Sequence, residues 1–330
     1  MNSAALALLE ESGLGNLRFE LGAPSIEQID LFVKRRHFSF SLPRGASLSR
    51  RALDLALVLS AIQKGTEFLP STRASLGPLG SQTRELCLVQ EGKQIPVKAR
   101  IVLAADGLRS QFSHGNRKRR IPSSSHIGVG GTVNRIPDFY HPGKIFMAVG
   151  RGGYVGLVLR EDGKLNLAAA LDFSFIRQMS SPANAVRALL KECRMEKPDD
   201  IENLSWHGTP ALTRRHATLA YERLFLIGDA AGFAEPFTGE GIAWALASAK
   251  AVVSLVHAGV QQWNPGLVPQ WNHWYSSSIG RRQILCQWLT KSLGHTGLAT
   301  LGATILSWKS SWARALIDAL HHPFPKESWA

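Results

Sequence analysis

The densest chemistry in the sequence is a fifteen-residue string, Gly228-Asp229-Ala230-Ala231-Gly232-Phe233-Ala234-Glu235-Pro236-Phe237-Thr238-Gly239-Glu240-Gly241-Ile242. An apolar run over residues 223–227 precedes it and reads as a buried strand, which delivers Asp229 at its C-terminal end, where ligand crevices lie in open α/β sheets. A carboxylate there suits the hydroxyls of a sugar or polyol. Pro236 fixes a turn. Gly239 and Gly241 let the backbone approach a ligand and open a helix whose unpaired N–H groups favour negative charge. A second string, Ala104-Ala105-Asp106-Gly107-Leu108-Arg109-Ser110, repeats the grammar of an apolar strand ending in an acidic residue and glycine. Alone, Asp-Gly after a strand is an ordinary turn, and its value lies in combination with the first string. The third is Leu48-Ser49-Arg50-Arg51-Ala52-Leu53-Asp54, where Arg50 at a helix start either pairs with a phosphate or forms a solvated basic turn.

The elements that must position these residues are legible in outline. A helix begins near Ala4, carries Leu6, Leu8 and Leu9, and stops at Gly13 or Gly15. Ser49 reads as the N-cap of a helix ended by Gly65, with a strand-like stretch over 65–69 and a loop over 70–84 rich in Gly and Pro. Residues 85–90 and 94–98 alternate like a hairpin around Glu91-Gly92, and 101–105 reads as a short strand buried on both faces. A polar, basic stretch over 113–125 marks a boundary. Beyond it, 127–136, 145–149, 154–160 and 165–172 read as successive strands of a mostly antiparallel sheet, interrupted by one helix over 182–193. A long helix follows from about 239 to 258, and a Trp-rich helical region ends the chain.

Composition narrows the classes. The 330 residues are 45% hydrophobic and 19% charged, ordinary globular usage that excludes wholesale disorder and collagen. Cys87, Cys193 and Cys286 lie far apart without a CxxC, which argues against a disulfide framework or a structural metal site and fits a cytoplasmic setting. No signal peptide is read at the start, and no window of about 20 uncharged apolar residues occurs, residues 297–308 being the best. The net charge of +13 suits an anionic partner without selecting one. Arg117-Lys-Arg-Arg120 reads as a solvated linker, so no nucleic acid is expected. Trp263, Trp271, Trp274, Trp288, Trp308 and Trp312, amid Arg281, Arg282, Lys291 and Lys309, either pack over a substrate cavity or lie on a membrane surface. Gly-x-Ser-x-Gly is absent, and the histidines show no ligand spacing.

Taken in this order and spacing, the three strings resemble the FAD-dependent oxidoreductases of the aromatic-hydroxylase-like class, and more closely the geranylgeranyl-reductase and flavin-halogenase branch. The branch rests on Gly-Asp-Ala-Ala-Gly-Phe followed by Pro-Phe-Thr-Gly-Glu-Gly-Ile, and the resemblance covers roughly residues 4–257. It implies an α/β fold in which a discontinuous FAD-binding, Rossmann-like domain of the glutathione-reductase type (1–36, 49–121 and 214–262) carries an inserted, mostly antiparallel substrate sheet (37–48 and 122–213) and a C-terminal helical region (263–330). By the same resemblance Asp229 hydrogen-bonds the FAD ribityl or ribose, Gly228 and Ala230 beside it are cofactor-binding, and Asp106 and Gly107 lie near the pyrophosphate, where NAD(P)H is also met. Gly239, Glu240 and Gly241 lie beside the isoalloxazine with backbone amides towards its anionic reduced edge, Pro236, Thr238 and Ile242 around them are cofactor-binding, and Arg50 sits near the cofactor.

Two departures from the family pattern set further expectations. No Gly-x-Gly-x-x-Gly occurs anywhere, as though a leading βαβ unit of about 30 residues were missing, from which weak FAD retention and poor solubility are expected. The alternative to an enzyme is then a truncated, flavoprotein-like interaction module. The Trp-x-Trp-x-Ile-Pro-like halogenase segment has only residues 152–159 as a counterpart, so halogenation is not expected. What remains is hydride transfer from NAD(P)H to the flavin, then hydroxylation or double-bond reduction of a substrate. Phe146, Met147, Tyr154 and Leu157 form an apolar lining that points to a lipophilic or aromatic small molecule, unless they are core residues.

Overall fold

The computed structural model describes residues 1–112, 125–235, 237, 239–294, 296–308, 311–312, 315, 317–318 and 324. Helix α1 (Ser3–Glu11) starts at Asn2, whose side chain accepts the Ala5 amide at 3.0 Å, and chain reversal follows at Gly13 with φ +77°. One turn, α2 (Leu17–Glu20), leads to strands β1 (Ser25–Val33) and β2 (Arg36–Ala46), an antiparallel hairpin. Helix α3 (Arg50–Gln63) begins where the sequence predicts: Ser49 Oγ accepts the Ala52 amide at 3.1 Å.

Strands β3 (Arg73–Leu79), β4 (Arg84–Gln90) and β5 (Lys93–Ala99) form a three-stranded meander. Glu91 and Gly92 both take positive φ (+51° and +79°), the geometry a two-residue hairpin demands. Two expectations fail here. Residues 66–69 form no strand, and the loop expected over 70–84 contains β3. Gly77 and Pro78 sit where the β3–β4 register shifts between Leu76 and Leu79, and β3 is an edge strand, the one setting in a sheet that tolerates them.

Strand β6 (Val102–Ala104) ends at Asp106, as expected, but it is not buried on both faces: Leu103 is 41% exposed. The expected boundary at 113–125 lies, but for Ser125, outside the described residues. Then come β7 (Ile127–Val133), β8 (Lys144–Gly150), β9 (Gly153–Leu159), β10 (Leu165–Leu171), helices α4 (Phe173–Gln178) and α5 (Pro182–Glu192), and β11 (His207–Ala211). With the first hairpin these strands build one seven-stranded sheet, in the order β11-β7-β10-β9-β8-β1-β2, antiparallel except at β1–β8. The boundary expected between residues 36 and 37 falls inside β2, whose Arg36 and His37 already pair with Val33 and Phe32 of β1. On one face Phe146, Leu157, Leu165 and Leu167 pack against Val186, Leu189 and Leu190 of α5.

The chain then makes β12 (Arg214–Arg215), β13 (Ala220–Tyr221), β14 (Leu224–Leu226) and β15 (Gly232–Phe233), followed by helices α6 (Gly241–Gln261), α7 (Leu267–Tyr275), α8 (Arg281–Gly294) and α9 (Thr296–Trp308). A π-helical turn over Ser276–Gly280 joins α7 to α8. Strand β14 lies parallel to β6, and its Leu224, Phe225 and Leu226 are fully buried against Trp244, Val252 and Leu255 of α6 and Trp271 of α7. Among the described helices only α6 is long and apolar enough to cross a bilayer, and eight of its residues are buried in this core. The tryptophans divide. Trp271 stacks on Trp274 with ring centres 5.4 Å apart and donates through Nε1 to Leu226 O at 3.1 Å, whereas Trp288 and Trp308 are exposed.

Candidate functional site

Strands β6 and β14 run parallel and stop side by side, the Ile227 amide donating to Ala104 O at 3.0 Å. Each then breaks into a single 3₁₀ turn, Gly107–Arg109 after β6 and Gly228–Ala230 after β14, and the two turns lie against each other. The two strings that the sequence singles out therefore meet at the carboxyl ends of parallel strands, the place where the ligand crevice of an open α/β sheet lies. Gly228 has φ +55°, and its amide donates to Ser248 Oγ of α6 at 2.8 Å, which in turn donates to Ala245 O at 2.9 Å. This anchoring fixes the direction in which the next residue, Asp229, leaves the strand. Burial pushes the Asp229 carboxyl above its usual range, and the charge of Arg50, at the start of α3, partly offsets that. Arg50 itself is exposed and pairs with Asp54 one turn on at 3.1 Å. Asp229 and Arg50, 179 positions apart in the sequence, thus share one electrostatic neighbourhood.

Asp106 has a local structural role, its carboxylate accepting the Gln111 amide at 2.9 Å and closing the turn. Gly107, with φ +74°, has open space where a side chain would start, so backbone rather than a side chain faces the crevice there. Ala230 is buried, with its methyl in the core.

Pro236 and Thr238 lie outside the described residues. Gly239 takes φ +71° with nothing near its missing side chain, and Gly241 opens the helix. Glu240, between them, turns inward. Its carboxylate is 1% exposed, accepts from Asn2 Nδ2 at 2.8 Å and feels Arg282, yet burial pushes its pKa up to about 7. Ile242 packs against α1 and α3. Whatever meets residues 239–242 from the crevice meets their backbone.

Sequence reasoning misses a second group of polar residues. His126, just before β7, approaches Glu235 Oε1 through Nδ1 at 2.7 Å and Asp172 Oδ1 through Nε2 at 3.3 Å. Burial opposes the imidazolium, but Glu235 and Asp172 outweigh it and the His126 pKa is raised. Tyr154 of β9 packs edge-on against both His126 and Phe237, and burial together with the Glu235 charge pushes its hydroxyl well above the ordinary tyrosine range. His126, Tyr154, Asp172 and Glu235 are 18 to 109 positions apart, and no spacing pattern announces them; the signal available was Glu235 itself, a charge inside the apolar string. The lining expected from β8 and β9 is divided by the pleat. Met147 and Tyr154 face Phe233 and Phe237, whereas Phe146 and Leu157 point to the other face and are core under α5.

No protein-family model matches the chain. A digeranylgeranylglycerophospholipid reductase of Methanopyrus kandleri is 30% identical over 220 residues, covering 61% of this chain and 55% of the relative. One of Thermoplasma volcanium is 24% identical over 168 residues, 48% of this chain and 41% of the relative. The chain thus spans about half the length of the curated relatives it matches. Among solved structures, the flavin-dependent brominase Bmp2 superposes with a TM-score of 0.78 at 14% identity, over all of this chain and 85% of its own. HpxO of Klebsiella pneumoniae, in complex with FAD and uric acid, gives 0.69 at 13% identity, over 97% and 85%. The resemblance to the geranylgeranyl-reductase and flavin-halogenase branch holds. The architecture is the α/β, Rossmann-like one of FAD-binding flavoenzymes, with its sheet and its helical C-terminal region.

The crevice fits one part of such a cofactor. Asp229 brings a half-buried carboxylate to the end of β14, and Gly107 and Gly239 leave space for close backbone approach. A polyol chain and a flat ring edge are the groups these features suit. No glycine-rich phosphate loop is present among the described residues.

Proposed function

We propose that this chain holds FAD at the ends of β6 and β14 and acts as an oxidoreductase that takes electrons from NAD(P)H and reduces a double bond of a lipophilic substrate. The observation that carries this reading is the convergence of Asp229, Gly107 and Arg50 on one crevice. The sequence relatives, named as digeranylgeranylglycerophospholipid reductases, favour a lipophilic substrate and a reductive outcome. FAD, when bound, supplies the hydride chemistry. In this reading Asp229 accepts hydrogen bonds from the ribityl hydroxyls, and Arg50 balances its charge. The backbone at Gly239 and Gly241 borders the ring edge, while Met147 and Phe237 form the dry wall against which an apolar substrate lies. Saturating a double bond also requires a proton, and His126, whose imidazolium Glu235 and Asp172 favour beside Tyr154, is a buried group that could supply one.

The test is FAD titration followed by anaerobic NAD(P)H oxidation with prenyl-chain lipids. Bound flavin and stoichiometric loss of a double bond without oxygen support the reading. Turnover that requires oxygen and hydroxylates the substrate replaces reduction with monooxygenation. Failure to bind FAD at all overturns the reading in favour of a flavoprotein-like interaction module.

A further inference from the structure

The face carrying the β1–β2 turn, the end of α5 and the flank of α9 is strongly basic and carries a row of uncovered apolar side chains. Two adjoining hollows open on it, of about 970 and 720 Å³, and share Lys191 and Arg194. Lys34, Arg35 and Arg36 line the smaller one, Arg187 and Lys197 the larger. Arg187 pairs with Glu202 at 3.0 Å, and Glu192 is occupied by the Arg151 amide at 3.1 Å. Among the described residues Lys34, Arg35, Lys191, Arg194 and Lys197 form no ion pair.

Helix α9 continues this surface. Its Thr300 lines the smaller hollow, and Arg36 Nη1 donates to Thr304 Oγ1 at 3.2 Å. On the neighbouring strip of the same helix Leu301, Ile305 and Trp308, spaced i, i+4, i+7, are 57%, 41% and 85% exposed. A tryptophan left that open, in line with two aliphatic side chains and beside unpaired cations, has the composition of an interfacial helix.

We propose that this face docks on an anionic phospholipid surface, with Leu301, Ile305 and Trp308 entering the headgroup region and Lys34, Arg35, Lys191 and Arg194 lying over lipid phosphates. The charge selects the occupant. A second copy of the chain docked here through a twofold would bring like charges face to face, and nucleic acid would leave the aliphatic row uncovered. The inference stands independently of the flavin reading.

Sedimentation with vesicles tests it. The full chain is mixed with vesicles of phosphatidylcholine containing about a third phosphatidylglycerol, or of phosphatidylcholine alone, at low and high salt. Binding is expected to the anionic vesicles and to fall steeply with salt. Lys191→Gln and Arg194→Gln each lower it about 5-fold, because each basic residue near such a surface contributes about 1 kcal/mol. Trp308→Ser lowers it about 10-fold or more, as loss of a buried interfacial indole should. Lys93→Gln, an equal charge loss on the β5 hairpin, leaves it within 2-fold of wild type, roughly the limit for a screened distant charge. Circular dichroism on each variant checks that the fold is retained. Equal binding to both vesicle types, wild-type binding by Trp308→Ser, or a Lys93→Gln loss as large as that of Lys191→Gln would each overturn the proposal. So would a dimer in solution that Trp308→Ser dissolves, or a short oligonucleotide that displaces the chain from anionic vesicles.

Discussion

Replacing Glu240 with glutamine should make the protein more stable at alkaline pH and leave it nearly unchanged in mild acid. Glu240 is 1% exposed, and its pKa moves from 4.5 to about 7 because burial outweighs the help of Arg282 and Asn2. At about 1.4 kcal/mol per pH unit, that displacement is worth about 3 kcal/mol. The folded carboxyl holds its proton more tightly than the unfolded one, so the contribution of Glu240 to stability is greatest below 4.5, falls as pH rises to about 7, and levels off above. The amide that Glu240→Gln introduces has the shape of the neutral acid and still accepts from Asn2, but has nothing to ionise. Urea unfolding at about pH 5 and about pH 8 should give two proteins alike within about 1 kcal/mol in acid and a variant more stable by about 3 kcal/mol in base. The difference between the proteins, rather than either curve alone, isolates Glu240 from other titrating groups such as His126. A variant destabilised equally at both values would refute the reasoning. It would mean that the Glu240–Arg282 attraction, and not desolvation, governs this carboxyl.

Other expectations follow from the same geometry. Asp229→Asn should weaken FAD about 10- to 100-fold in a fluorescence titration, the worth of a hydrogen bond to a charged acceptor; unchanged affinity would remove Asp229 from the site. Glu235→Gln should bring the His126 pKa down, towards or below 6.5, as read by NMR titration, because burial then acts with only Asp172 opposing it. The His126 contribution to stability is present below 6.5 and lost as pH rises through its raised folded value, so this variant should also flatten the neutral-pH part of the stability curve. Trp271→Ala should cost about 3–5 kcal/mol in denaturant unfolding, since the indole is wholly buried and satisfies the Leu226 carbonyl. Gly153→Ala should lower Tm by several degrees or prevent folding. At φ +137° a side chain would start 2.1 Å from the Ala170 carbonyl oxygen, on the paired strand.

What the sequence revealed depended on whether the determining contact was local. Ser49 capping α3, the Glu91-Gly92 reversal and the apolar run ending at Asp229 are set by neighbours in the chain, and each was legible. Strand β3 was not, because Gly77 and Pro78 carry loop character and only the β4 partner, with its shifted register, converts them into an edge strand. The inward turn of Glu240 depends on Asn2 and Arg282, and the His126 group depends on Glu235 and Asp172, all partners that no window of sequence contains. The split of the β8–β9 lining was readable in principle, since Phe146 and Met147 are adjacent and must face opposite sides of a strand.

The parallel β1–β8 pair carries a consequence for synthesis. Asp30 and Lys144, which meet across it at 3.2 Å, are 114 residues apart. The first hairpin is the outer pair of the large sheet and joins the remainder only through that pair, so it must wait, edge open, until β8 has been made. Closing so long a loop before any contact repays it is slow. During the wait the β1 edge, with Leu31, Phe32 and Val33, is open to pairing with the wrong strand, and a chaperone that covers it should raise the yield of folded chain.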